Sequence, residues 1–153
     1  MTIIQKQARQ GDILLRKMTL AQANLIEQLM DYGECEKIVD SNHPGEAVLA
    51  YGETHGHRHT IKGAELMAVK NDAQSSLGEL EFIPEYITSN DFKFVVVDEI
   101  SNLEHLTETE EPTRDHDTIT NVAPGMYWVV GQFEDDNVGL KESPEWQRRR
   151  VFD

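Results

Sequence analysis

Three of the chain's six histidines, His55, His57 and His59, fall within five residues of the segment GETHGHRHTI, which ends at Ile61. In an extended strand, residues two apart share a face, so His57, His59 and Ile61 point one way while Arg58 and Thr60 point the other. The apolar Ile61 marks that face as the inner one. Two imidazoles whose α-carbons lie about 7 Å apart can converge on one metal ion at about 2.1 Å. Metal ligation is therefore the chemistry this spacing serves best, and nitrogen-rich ligation suits Zn, Fe, Ni or Mn. The same residues are also compatible with a hydrogen-bonded structural cluster or a solvated turn.

A third ligand has to come from elsewhere in the chain. His55 sits in a glycine-flanked turn and joins the shared face only if the strand extends back through Gly56. His105 shares a face with Leu103 and is the preferred distant ligand, with His116 ranked behind it. Glu53 and Glu65 are the candidate catalytic carboxylates, as general base or further ligand. An open coordination position would let the metal activate water or bind a small-molecule ligand. Whether the chain is an enzyme is left open by these residues.

Other catalytic patterns fail. A His-x-His-x-Asp-His hydrolase motif needs aspartate at position 59 and histidine at 60, where the chain has His59 and Thr60. There is no Gly-x-Ser-x-Gly elbow, phosphate-binding loop or dinucleotide fingerprint. Asp115 and Asp117 lack the glycine and distal glutamate of a calcium loop and read as solvated acids.

The elements that must position these residues are mostly strands. Gln10 to Lys17 reads as a turn and then a strand. Thr19 and Gln22 have capping-box spacing, which satisfies free amides at a helix start. Leu25, Ile26, Leu29 and Met30 continue a helix over about residues 20–31, ended by Gly33. A loop over Asp40 to Glu46, with His43 solvated, precedes strands at Ala47 to Tyr51, His57 to Ile61 and Glu65 to Lys70. Residues 71–91 read mostly as loop, with a short strand near Phe82. Phe92 to Val97, dense in β-branched and aromatic residues, is the strongest strand signal. Glu104 to Asp117 reads as an exposed acidic loop. Ile119 to Val122 and Met126 to Phe133 are further strands, and Arg148 to Phe152 is expected to close the sheet. Short strands separated by Gly and Pro predict a mainly β fold: one antiparallel barrel or sandwich with one helix near the N-terminus.

Composition sets the outer bounds. A length of 153 residues suits one β-rich domain over 1–153. The 28 acidic and 14 basic residues give a net charge of -14, which repels phosphate backbones and makes nucleic acid an unfavoured partner. The exception is Arg148, Arg149 and Arg150, read as a strand pairing with the chain's own carboxylates. Cys35, the only cysteine, excludes an intrachain disulfide and reads as an inert buried thiol. With no long apolar run and no secretory pattern, no membrane association is expected and the localisation is expected to be cytoplasmic.

At Gly52, His57, His59 and Glu65 the chain resembles the first motif of the cupin superfamily, a glycine, a His-x-His pair on a strand and a following glutamate. The turn Pro124, Gly125 resembles the start of the second motif, with Trp128 standing where its histidine would be. The resemblance implies a small barrel that keeps a metal through His57 and His59 and lacks one customary ligand. The string VLAYGETHGHRHTI and the ending RRRVFD are also similar to short uncharacterised proteins encoded in phages and prophages. That second likeness implies a non-enzymatic virion or accessory module, forming a homo-oligomer or larger assembly.

Overall fold

The structure is a computed structural model that describes residues 7–52, 56–74, 92–131, 133–135 and 148–150. Its elements in chain order are β1 (Gln7–Gln10), β2 (Ile13–Lys17), α1 (Leu20–Asp31), β3 (Cys35–Ile38), β4 (Glu46–Tyr51), β5 (Arg58–Lys62) and β6 (Glu65–Val69). They continue with β7 (Lys93–Val97), β8 (Ser101–Leu106), β9 (Ile119–Val122), β10 (Gly125–Gly131), β11 (Phe133–Asp135) and β12 (Arg148–Arg150).

All strand pairings are antiparallel. A six-stranded sheet runs β1-β2-β10-β7-β6-β3, and a four-stranded sheet runs β4-β5-β8-β9. The two expected alternatives thus resolve to a sandwich, because neither sheet closes on itself. The C-terminal strand β12 pairs with β11 in a separate two-stranded sheet rather than closing either layer. Among the described residues, no helix is long and apolar enough to cross a membrane.

The large sheet is buried on both faces. Leu14, Phe94, Trp128 and Val130 pack beneath Ile26 and Leu29 of α1. Their strand neighbours Leu15, Val95, Val97, Tyr127 and Val129 pack instead against Ala47, Ile61, Leu103 and Val122 of the small sheet. This double burial is why β2, β7 and β10 carry continuous apolar runs instead of an alternating pattern. It also makes parity along a strand decide which layer a side chain enters.

Helix α1 is pinned at its start. Gln22 N donates to Thr19 Oγ1 at 3.2 Å, and Thr19 N donates to Gln22 Oε1 at 3.0 Å, completing the expected capping box. The same Oε1 accepts from Trp128 Nε1 at 3.0 Å, so one buried amide joins the helix cap to the central strand β10. Only Ile26 and Leu29 of the expected stripe are fully buried; Leu25 and Met30 lie at its margins.

Strands β1, β3 and β8 lie where the sequence pattern assigns no strand. Residues 35–38 form β3, an edge strand paired with β6, whose Glu36 and Lys37 mask its β character. Strand β8 runs into the segment read as an acidic loop, as far as Leu106, and buries Leu103, His105 and Leu106, while the half-buried Glu104 between them disguises the strand. The expected short strand near Phe82 lies outside the described residues.

Replacing Gln22 with Ala removes both the reciprocal cap and the partner of the Trp128 indole. The expected loss is about 1–3 kcal/mol of unfolding free energy, read as a lower urea midpoint at unchanged slope.

Candidate functional site

The inner layer of the sandwich changes from apolar to polar at one end. On β5 the residue two before Ile61 is His59, and on β8 the residue two after Leu103 is His105. Both therefore enter the same inter-sheet space, and they stand directly opposite each other in the β5–β8 register. Their ring centroids are 4.4 Å apart. His116, from the segment between β8 and β9, closes a triangle, 5.6 Å from His59 and 4.9 Å from His105. His57, just before β5, meets His105 edge-on at 5.5 Å.

The large sheet covers this cluster with the β1–β2 turn. Gln10 pairs with Ile13 across Gly11 and Asp12, and Gly11 has φ +59°, the left-handed conformation a two-residue hairpin can reserve for glycine at its first position. Glycine is required for a second reason: a Cβ here would lie 2.7 Å from His116 Nε2. The turn thereby lets Gln10 and Asp12 reach inward while His116 packs on its backbone.

Gln10 fixes the tautomer of His59. Its Nε2 donates to the backbone carbonyls of Leu103 at 3.0 Å and Asp117 at 2.9 Å. Its Oε1 is left as the atom facing His59 Nδ1 at 2.8 Å, so Nδ1 must carry the hydrogen and donate. His59 Nε2 then faces Asp12 Oδ1 at 3.5 Å, with the histidine 0% and the aspartate 3% exposed. A nitrogen lone pair against a buried carboxylate is unfavourable unless a proton or a cation lies between them. His105 Nδ1 shares a hydrogen bond with Thr113 Oγ1, and Thr113 N donates to the His105 carbonyl at 2.9 Å. The Nδ1 of His57 and Nε2 of His116 are buried without a hydrogen-bond partner among the described residues.

The structure thus brings together His57, His59, His105 and His116. Glu65 lies apart, because the chain turns at Gly63 and crosses into the other sheet, where the exposed Glu65 meets Lys37 at 3.5 Å. Glu53 and His55 fall outside the described residues. Gln10 and Asp12 carry no signal in the sequence beyond a turn-forming Gly-Asp pair, yet they supply the cluster's hydrogen-bond acceptor and its carboxylate.

The opposite face of β5 is buried as well. Arg58, 0% exposed, reaches Glu46 through Nε at 3.1 Å and Glu110 through a terminal nitrogen at 2.7 Å. Thr60 Oγ1 donates to the same Glu46 at 2.8 Å. Burial alone would lower the guanidinium's affinity for its proton, but the bonds to Glu110 and Glu46 outweigh it and raise it. The Arg58 hydrogen bond in turn holds the Glu110 carboxyl below its ordinary value of 4.5.

His43 is half-buried rather than solvated, and it joins Glu46 and Glu110. Among the described residues, these three form the group whose ligand atoms lie within 4.8 Å of one another, and it could hold a metal ion. Arg58 already supplies the positive charge there. An entering cation would have to compete with a buried guanidinium that holds both carboxylates. No family model, curated protein or solved structure matches the chain.

Arg58→Met leaves Glu46 buried without its counter-charge and should cost about 3 kcal/mol, the lower end for a broken buried pair because Glu110 is 45% exposed and can rehydrate. A carboxyl depressed in the fold contributes stability that is present above its unfolded value and lost as pH falls through the folded one. Urea midpoints of the native chain and Glu110→Gln should therefore differ at pH 6 and converge below the ordinary carboxylate value of 4.5.

Proposed function

We propose that the interior histidine cluster binds a divalent transition metal, making the protein a small cupin-like metal-binding β-sandwich. His59 Nε2 and Asp12 are the central ligands, and His105, His116 and His57 are the nitrogen donors around them.

The contact of His59 with Gln10 on one side and Asp12 on the other carries this reading. Metal-ligating histidines characteristically donate their second ring N–H to an acceptor that sets the tautomer, and Gln10 fills that role for His59. The ligating nitrogen is then presented to Asp12, whose charge a cation would offset. Ring spacing supports the same reading. With metal–nitrogen bonds of about 2.1 Å, each imidazole centroid sits about 3.2 Å from the ion, and tetrahedral donors place centroids about 5 Å apart. The triangle of His59, His105 and His116 measures 4.4, 4.9 and 5.6 Å. The rings meet tilted and edge-on, so gathering their nitrogens requires side-chain rotation with little change in spacing.

Nitrogen donors with one carboxylate suit Zn, Fe, Ni or Mn, and a bound ion with an open position would supply Lewis-acid activation of water or a small ligand. The residues of the chain would bind and orient the ion: Gln10 and Thr113 hold ring orientation, while Ile61 and Leu103 bound the site on the side of the apolar core.

The test is metal stoichiometry in untagged, chelator-treated protein, titrated with Zn, Ni, Mn and Fe. One equivalent is expected, with a rise in Tm that reflects about 2.7 kcal/mol at a hundredfold excess over Kd. Asp12→Asn and His116→Ala should each weaken binding at least tenfold, as loss of a ligand does, whereas Glu110→Gln should leave it unchanged. Less than a tenth of an equivalent, with melting unaffected by chelation, would reject the proposal and leave a proton as the group between His59 and Asp12.

A further inference from the structure

A cavity of about 270 Å³ opens into the inter-sheet layer beside β4, lined by Ile13, Leu49, Val129, Gly131, Tyr51 and Lys93, with Ala50 at its wall. Its volume falls just below the range for drug-sized ligands, so it suits a smaller molecule. The space exists for identifiable reasons. Gly131 contributes no side chain at the end of β10, and the β4–β5 register slips between Val48 and Ala50, an irregularity that bends a strand.

Lys93 is the unusual member. Along β7 it shares parity with Val95 and Val97, both of which pack in the inter-sheet core, while Phe94 packs under the helix. The lysine therefore enters the apolar layer rather than the outer surface. Among the described residues, its ammonium has no carboxylate or carbonyl partner. In a chain with twice as many acidic as basic residues, an inward-facing, half-buried lysine with no counter-charge among the described residues stands out. Tyr51 offers no competing donor, because its hydroxyl donates to Asp40, a bond that pushes the phenol up to about 12.

We propose that this cavity binds a small amphiphilic monocarboxylate, its apolar tail against Ile13, Leu49 and Val129 and its carboxylate on the Lys93 ammonium. One point charge beside the apolar side chains of Ile13, Leu49 and Val129 matches one anionic group on a short apolar tail. A polyanion would meet the protein's net charge of -14, which disfavours phosphorylated ligands. The site is independent of the histidine cluster and needs no metal.

The probes are hexanoate, hexanol and hexylamine, titrated into ¹⁵N-labelled, metal-free full-length protein and followed by amide shifts. Hexanoate is expected to give saturable shifts at Ile13, Leu49 and Gly131 and to bind better than hexanol, with hexylamine weakest. Lys93→Gln should weaken hexanoate about tenfold, the equivalent of about 1.4 kcal/mol, and leave hexanol unchanged. Lys93→Arg should retain most of the preference. The spectrum itself reports whether each variant folds. If Lys93→Gln does not fold, the order of the three probes on the native chain decides. No saturable shift with hexanoate, equal affinity in Lys93→Gln, or preference for hexylamine would overturn the proposal.

Discussion

The polar end of this sandwich depends on one hydrogen bond, from His59 Nδ1 to Gln10 Oε1 across the two sheets. Gln10 can accept it only because its own amide nitrogen is committed to the carbonyls of Leu103 and Asp117, so one glutamine ties β1 to β8 and to the segment before β9. A buried imidazole without such a partner would carry the full desolvation cost of its polar atoms. With it, the ring is oriented and its other nitrogen is aimed at Asp12. The positions of His105 and His116 follow from the space this leaves, since both rings pack against His59.

The two faces of β5 show contrasting solutions to burying polar side chains. Outward, Arg58 donates charge-assisted hydrogen bonds to both Glu46 and Glu110, one guanidinium engaging two carboxylates. Inward, four imidazoles share one buried space with the Asp12 carboxylate, and among the described residues His57 Nδ1 and His116 Nε2 have no hydrogen-bond partner there. Proximity of ligand atoms picks out the first face, at His43, Glu46 and Glu110, but both carboxylates there are already engaged by the Arg58 guanidinium. Our proposed metal site therefore lies on the second.

Much of the fold was legible because local signals agreed with tertiary packing. The Thr19–Gln22 spacing is a working cap, and the run Phe94 to Val97 is a central strand buried on both sides. The His-x-His pair was legible too, since strand parity places His59 beside Ile61. What could not be read depends on partners distant in sequence. His105 is legible as a distant candidate through its parity with Leu103, but the strand that carries it is not, because the stretch is rich in Glu and Thr. His116 ranked low because nothing local says that it packs on Gly11, 105 positions away along the chain. Asp12 looked like any turn aspartate, and only pairing of β1 with β2 shows that the turn points inward. Glu65 looked like a motif carboxylate until the crossover at Gly63 carried it to the other sheet.

The central claim is best tested by long-range ¹H–¹⁵N correlation spectra of the histidine side chains, recorded before and after one equivalent of zinc. The account predicts that His59 carries its hydrogen on Nδ1 in the metal-free protein and that zinc shifts its Nε2 selectively, with His105 or His116 responding alongside. A His59 protonated on Nε2 alone, or ring signals indifferent to zinc, would contradict it.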